Sequence, residues 1–137
     1  MTYLLDTNVL SETRKRRPSP GVAEWIAATP PERLHVSVLT LGEIEQGIAR
    51  IRGRGDQQQA ALLERWLQDV EIVFAERALP VTLPIAMAWG RLRHAQPLPV
   101  IDALIAATAR VHDMIVVTRN VKDFEQAGVQ VFNPFAQ

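Results

Sequence analysis

Asp6 follows the apolar-rich Tyr3-Leu4-Leu5 and opens the polar cluster Asp6-Thr7-Asn8, after which apolar periodicity resumes at Val9 and Leu10. The pattern reads as strand, turn and helix. It sets a carboxylate at the carboxyl end of a strand, where open α/β sheets collect ligands and chemistry. A second acid, Glu43, lies just beyond the strand-like segment 34–38, in the expected first turn of a helix whose apolar face is Leu41, Ile44, Ile48 and Ile51. A third, Asp102, stands in the first turn of a helix that begins with the apolar or small run 100–107. A carboxylate there is costly unless it is paired, hydrogen-bonded or metal-bound. The last candidates, Asn120 and Asp123, follow the buried-strand pattern 114–117, with Thr118 and Arg119 between. Each acid has an ordinary explanation: Asp6, Thr7 or Asn8 can cap a helix, and Glu43 can complement a helix dipole. Their convergence on one sheet edge is what argues for chemistry.

Several carboxylates at one edge repel one another and raise one another's pKa values unless a cation shares the site. The chain has no Cys, and its histidines show no paired spacing, so oxygen ligation points to Mg²⁺ or Mn²⁺ and away from Zn²⁺. Such an ion can activate a water and stabilise the charge on a phosphodiester during in-line displacement, which is nuclease chemistry. No Gly-rich phosphate loop with a Lys is present, which argues against an ATPase. A serine-hydrolase triad lacks a suitable context, because His35, His94 and His112 fall at a strand start and at two helix ends. A phosphoacceptor receiver domain would want adjacent acids early in the chain and a Lys at the end of a late strand; Lys122 lies within the polar turn instead.

The elements that must position these residues alternate along the chain. After the first strand a short helix is expected from Asn8 to about Arg14, ended by the basic run and by Pro18 and Pro20. A second helix spans 21–28 with Val22, Trp25 and Ile26 on one face, and the strand 34–38 follows, with His35 as a structural residue near its start. The Glu43 helix runs from about Thr40 to Ile51, capped by Ser37 or Thr40; within it Glu45 faces solvent, and Gly47 suggests a close backbone approach. Asp56 caps a helix to about Val70 whose buried stripe is Leu62, Leu63, Trp66 and Leu67, while the segment 71–74 fits strand or helix. A short strand at 78–81 leads to a helix from Leu83 to about Arg93 with Ile85, Trp89 and Leu92 inward, and then to a break at Pro97-Leu98-Pro99. The Asp102 helix ends near His112, and strands at 114–117 and 129–132 close the pattern around a polar loop and helical turn at 118–124. Alternation of this kind implies an α/β fold: a central parallel β-sheet flanked by helices on both faces.

The chain of 137 residues has the size of one domain, and its 47% hydrophobic content suits a single core, so residues 1–137 are expected to form one domain. The absence of Cys suits a reducing compartment, and no run approaches the length of a membrane span; a cytoplasmic protein with no membrane contact is the expectation. Lys plus Arg and Asp plus Glu are both 15, so nucleic-acid contact must come from local charge such as Arg14-Lys15-Arg16-Arg17 or the set Arg50, Arg52 and Arg54. A solvated face is the ordinary reading of either cluster.

The ordered set of motifs resembles a PIN-domain ribonuclease, of the VapC-type toxins of bacterial toxin–antitoxin pairs and the branch that includes the FitB proteins. The resemblance is carried by 4–12 (LLDTNVLSE), by 37–44 (SVLTLGEI) with Gly47, by 101–109 (IDALIAATA), by 117–124 (VTRNVKDF) and by the ending 131–135 (VFNPF). It implies a PIN-like fold and Mg²⁺- or Mn²⁺-dependent endonucleolytic cleavage of RNA. Asp6, Glu43 and Asp102 match the family's metal-site acids. Many relatives carry an acid where this chain has Asn120; Asp123 is the expected supplier of the fourth carboxylate, and Thr7, Asn8, Thr118 and Asn120 are supporting polar residues. The resemblance further implies a homodimer and a cognate VapB-like antitoxin that inhibits the toxin and binds promoter DNA in a larger assembly. The competing reading is a catalytically silent PIN-like module that binds RNA or antitoxin, and the uncharged Asn120 is the feature in its favour.

Overall fold

The computed structural model describes residues 1–92 and 98–136. Arg93, expected to end a helix, and His94 and Pro97 lie outside the described residues. Five short strands form one parallel sheet: β1 (Tyr3–Leu5), β2 (Leu34–Ser37), β3 (Ala78–Leu79), β4 (Ile115–Val117) and β5 (Val131–Phe132), in the order β3-β2-β1-β4-β5. β1 is the central strand. Leu4 pairs with His35 on one side and Val116 on the other, and the Asp6 amide N–H continues the ladder to the Val117 carbonyl at 2.9 Å.

The period of two in β1 divides the core. Leu5 faces a cluster with Val9, Val36, Ile48, Leu67 and Phe74, whereas Leu4 faces one with Ile105, Ala106, Val116 and Phe124. Among the described residues there are seven helices, α1 (Thr7–Glu12), α2 (Pro20–Ala28), α3 (Val38–Gly53), α4 (Gln57–Val73), α5 (Leu83–Gly90), α6 (Val100–His112) and α7 (Val121–Gln126), with α5 packed on α6. The first cluster is closed by α1 to α4, the second by α6 and α7. In α6 the buried Ala103, Ala106, Ala107 and Ala109 keep the helix thin where it lies on the sheet. Asp113, with φ of 54°, turns the chain out of α6 in the left-handed region, which Asp tolerates better than most residues.

Several boundaries differ from the sequence reading, each for a local reason. α1 begins at Thr7 and not Asn8, because Asp6 takes the capping position. β2 stops at Ser37, whose side chain caps α3 by accepting from the Leu39 amide at 3.0 Å, so α3 starts two residues before Thr40 and Glu43 stands in its second turn. The ambiguous segment 71–74 resolves as the end of α4 with Phe74 as its C-cap, since no breaker interrupts the helix. Leu62, expected in the buried stripe of α4, is 57% exposed, and Ala60, Leu67 and Val70 hold that face instead. Trp89 is exposed while Ile85 and Leu92 are buried as expected. Gly47 contradicts the expected close approach: a Cβ placed there meets nothing within 4 Å. Among the described residues no helix is long and apolar enough to cross a membrane.

Candidate active site

Asp6 is 5% exposed, and almost every polar contact it needs comes from its own neighbourhood. Its Oδ1 accepts the Thr7 amide at 2.8 Å, while its Oδ2 accepts the Thr118 hydroxyl at 2.7 Å and the Asn8 side-chain amide at 3.2 Å. The capping role and the site role therefore coincide in one side chain. Thr118 is fully buried at the end of β4 and is held in turn, its Oγ accepting the Asn120 amide at 3.0 Å and the Asn8 side-chain amide at 3.4 Å. Asn8 closes the ring through its Oδ1, which accepts the Arg119 amide at 3.2 Å. Burial raises the Asp6 carboxyl above its ordinary pKa, and the bonds from Thr118, Thr7 and Asn8 pull it back.

Glu43 reaches the same edge from α3. Its Oε1 accepts the Thr7 hydroxyl at 2.7 Å, so Thr7 ties the second acid to the turn that holds the first. Asp102, in the first turn of α6, is half-buried, and its pKa is pushed up to about 6. Desolvation is the largest cause, followed by the like charges of Asp6, Glu43 and Asp123. That last contribution places Asp123, in the first turn of α7, within electrostatic reach of Asp102. Among the described residues no three acids are drawn tightly enough to form an ion cage by themselves. The four carboxylates meet through their charges, and charge of that sign invites a cation.

The remaining candidates separate. Asn120 precedes α7, but its side chain makes no capping bond there, so its amide oxygen is not committed to the helix. The basic run does not act as one patch: Lys15 is paired with Glu12 at 2.9 Å, Arg16 and Arg17 line an open hollow of about 680 Å³, and Arg14 borders a different hollow with Thr7 and Glu43. Glu12 was not singled out by the sequence reading. It is buried, accepts the Ser19 amide at 2.8 Å, and is held below the usual carboxylate range first by Lys15, with Ser19 and Arg119 assisting. The available signal was an acid three residues before a Lys at a helix end. Arg119 lies 3.8 Å over the Phe135 ring and so fastens the chain's final turn beside the site.

Residues 3–129 match the PIN domain family model. The chain belongs to the PIN-domain family. This PIN domain is 34% identical to Toxin FitB of Neisseria gonorrhoeae over 137 residues, covering 96% of this chain and 97% of that protein. It is 32% identical to VapC ribonuclease Y4jK of Sinorhizobium fredii, with 96% of each chain covered. Among solved structures, FitAcB of Neisseria gonorrhoeae superposes with a TM-score of 0.86 at 34% identity, covering 99% of this chain and 100% of that one. FitAB bound to an IR36 DNA fragment superposes with a TM-score of 0.83 at 34% identity, covering 98% and 96%. The fold expected from the sequence, a parallel sheet covered on both faces with a PIN-like topology, is the one observed.

Proposed function

We propose that this PIN domain is a metal-dependent endoribonuclease, the toxin of a VapBC-type pair, restrained by a cognate VapB-like antitoxin. The observation that carries the reading is the meeting of Asp6, Glu43, Asp102 and Asp123 at one sheet edge, where Asp102 feels the charge of the other three. The donor set is all oxygen, as Mg²⁺ or Mn²⁺ requires, and the full-length relatives FitB and VapC Y4jK carry the names of a toxin and a ribonuclease.

Asp6, Glu43 and Asp102 would hold the ion, with Asp123 as the fourth carboxylate and the Asn120 amide as a neutral helper. Bound there, Mg²⁺ supplies a more acidic attacking water and offsets charge on the phosphodiester oxygens. The chain's own part is orientation. Thr118, Asn8 and the Thr7 amide fix the Asp6 carboxylate, and the Thr7 hydroxyl fixes Glu43, so little reorganisation remains when RNA arrives. Glu43 and Asp102 are partly exposed at this edge, where a phosphodiester could approach, while Asp6 and Thr118 are buried.

A homodimer belongs to the same proposal. Leu83, Met87 and Val100 are exposed on the paired helices α5 and α6, an apolar surface suited to a second copy of the chain. The antitoxin partner rests on the likeness to Toxin FitB and to a toxin–antitoxin complex from Klebsiella pneumoniae, 28% identical with a TM-score of 0.66, and FitAB bound to a DNA fragment supports DNA contact through the antitoxin. Cleavage of total RNA and pooled tRNA by the purified protein tests the reading. Discrete fragments are expected with Mg²⁺ or Mn²⁺, none with EDTA, and a loss of about 100-fold or more in Asp6→Asn. Absence of cleavage in every metal, from folded and antitoxin-free protein, leaves the silent binding module as the better account.

A further inference from the structure

A hollow of about 190 Å³ opens directly beside the acids, between α1, α3 and α4. Its lining includes Thr7, Glu43 and the exposed Arg14, together with apolar residues such as Ile48 and Trp66. Gly47 lines it one turn after Glu43, and the space where its side chain would project is open. The hollow therefore combines a carboxylate, an apolar and aromatic interior and a guanidinium within one small volume. The two ion pairs among the described residues, Lys15 with Glu12 and Arg52 with Glu64, do not use Arg14. With a cation bridging a phosphate to Glu43, a strand of RNA would turn one flat base toward the apolar interior and bring the neighbouring phosphate toward Arg14.

We propose that this hollow is a nucleotide subsite, which takes one unstacked base of single-stranded RNA beside the phosphate held at the acids, with Arg14 on the neighbouring phosphate. The inference rests on the ribonuclease reading and adds to it a place where the substrate is gripped. It also gives Gly47 a role, since any larger residue would occupy the space of the base. The larger hollow of about 350 Å³ between α1, α2 and α4 is a poorer nucleotide site, being lined by Leu5, Leu10, Ile26 and Phe74 without any of the four acids. An apolar peptide side chain would fill the smaller hollow too, but would bring Arg14 no phosphate, and that occupant is one of the outcomes the test separates.

The test is binding of a fluorescein-labelled random-sequence oligoribonucleotide to the wild-type protein, taken as the background, with Ca²⁺ in place of Mg²⁺, alongside cleavage by the same protein with Mg²⁺. Gly47→Leu should weaken binding about tenfold or more, the size expected for losing one base contact. Its melting temperature should stay level or rise, because Gly is a poor residue inside a helix. Arg14→Ala should weaken binding and flatten its salt dependence by about one phosphate contact. An oligonucleotide of abasic sugars should bind both the background protein and its Gly47→Leu form equally weakly. Gly47→Leu protein that is folded and binds RNA as before overturns the subsite, whether or not it has lost a peptide partner. If the wild type cuts nothing yet Gly47→Leu weakens RNA binding, the nuclease reading falls and the subsite stands. If no RNA binds at all, both fall.

Discussion

Asp6 and Asp102 are the same residue type at the same sheet edge, and the protein treats them in opposite ways. The turn at Asp6 surrounds its carboxylate with donors: an amide, a hydroxyl and a side-chain amide, each fixed by a further bond. At the start of α6, Asp102 follows Pro99, which offers no side-chain cap, and the apolar Val100 and Ile101, and it faces three like charges. The first acid is oriented by the protein; the second is left under electrostatic pressure. A site built this way has one carboxylate fixed in advance and another under like charge, so that a cation, on the reading proposed above, would relieve a cost already present in the folded chain.

The comparison is tested most strongly by metal. In thermal melts, saturating Mg²⁺ at about 100 times its dissociation constant should stabilise the wild type by about 2.7 kcal/mol, and most of that gain should vanish in Asp102→Asn. An equal gain in both proteins would mean that Asp102 does not hold the ion. Next in size is Thr118→Val, which keeps shape but removes the donor at 2.7 Å from Asp6. Cleavage or metal affinity should fall about 10- to 100-fold, the usual effect of losing a group that orients a metal ligand, and unchanged titrations would show that Asp6 needs no such support.

A smaller effect appears in the pH dependence without divalent ions. Desolvation and like charge push the Asp102 carboxyl up to about 6 in the folded chain, against an ordinary value of 3.8. Between these the folded chain holds a proton that the unfolded chain has released, so this acid's destabilising cost is full above pH 6 and disappears as pH falls toward 3.8. At pH 7, Asp102→Asn should exceed the wild type by about 1 kcal/mol in denaturant melts, after allowance for solvent screening, and the two should converge in acid. A constant difference across that range would remove like-charge pressure as the cause. Asn120→Asp should act least on the fold, costing about 0.5 kcal/mol without metal through one added like charge, while strengthening Mg²⁺ binding in calorimetry if Asn120 stands in the ion's shell.

Much of this was legible in the chain. Leu4 and Leu5 ahead of an Asp, the apolar spacing of Ile44 and Ile48, and the small residues around Asp102 each carry their own periodicity, and strand–helix alternation forces a parallel sheet whose carboxyl edge collects the loops. The errors came where local pattern is silent. Leu62 and Trp89 satisfy a helical stripe but face solvent, because which stripe is buried depends on the neighbouring helix. Glu43 moved from the first turn to the second because Ser37 captured the start of α3. Gly47 looked like a point of close approach and proved to border open space.

The sequence by itself determined the order of elements and the family, and it offered the candidate acids, because these follow from short-range periodicity, ordered motifs and which residue types bear charge. Only the tertiary structure decided that Thr118 joins the nearer Thr7 and Asn8 in donating to Asp6, that Arg14 lines a different hollow from Arg16 and Arg17, and that Gly47 borders a hollow beside Glu43. Those relations join positions up to 112 residues apart along the chain. No local propensity encodes them; they arise when the sheet brings the ends of β1 and β4 together and α3 and α4 pack beside them.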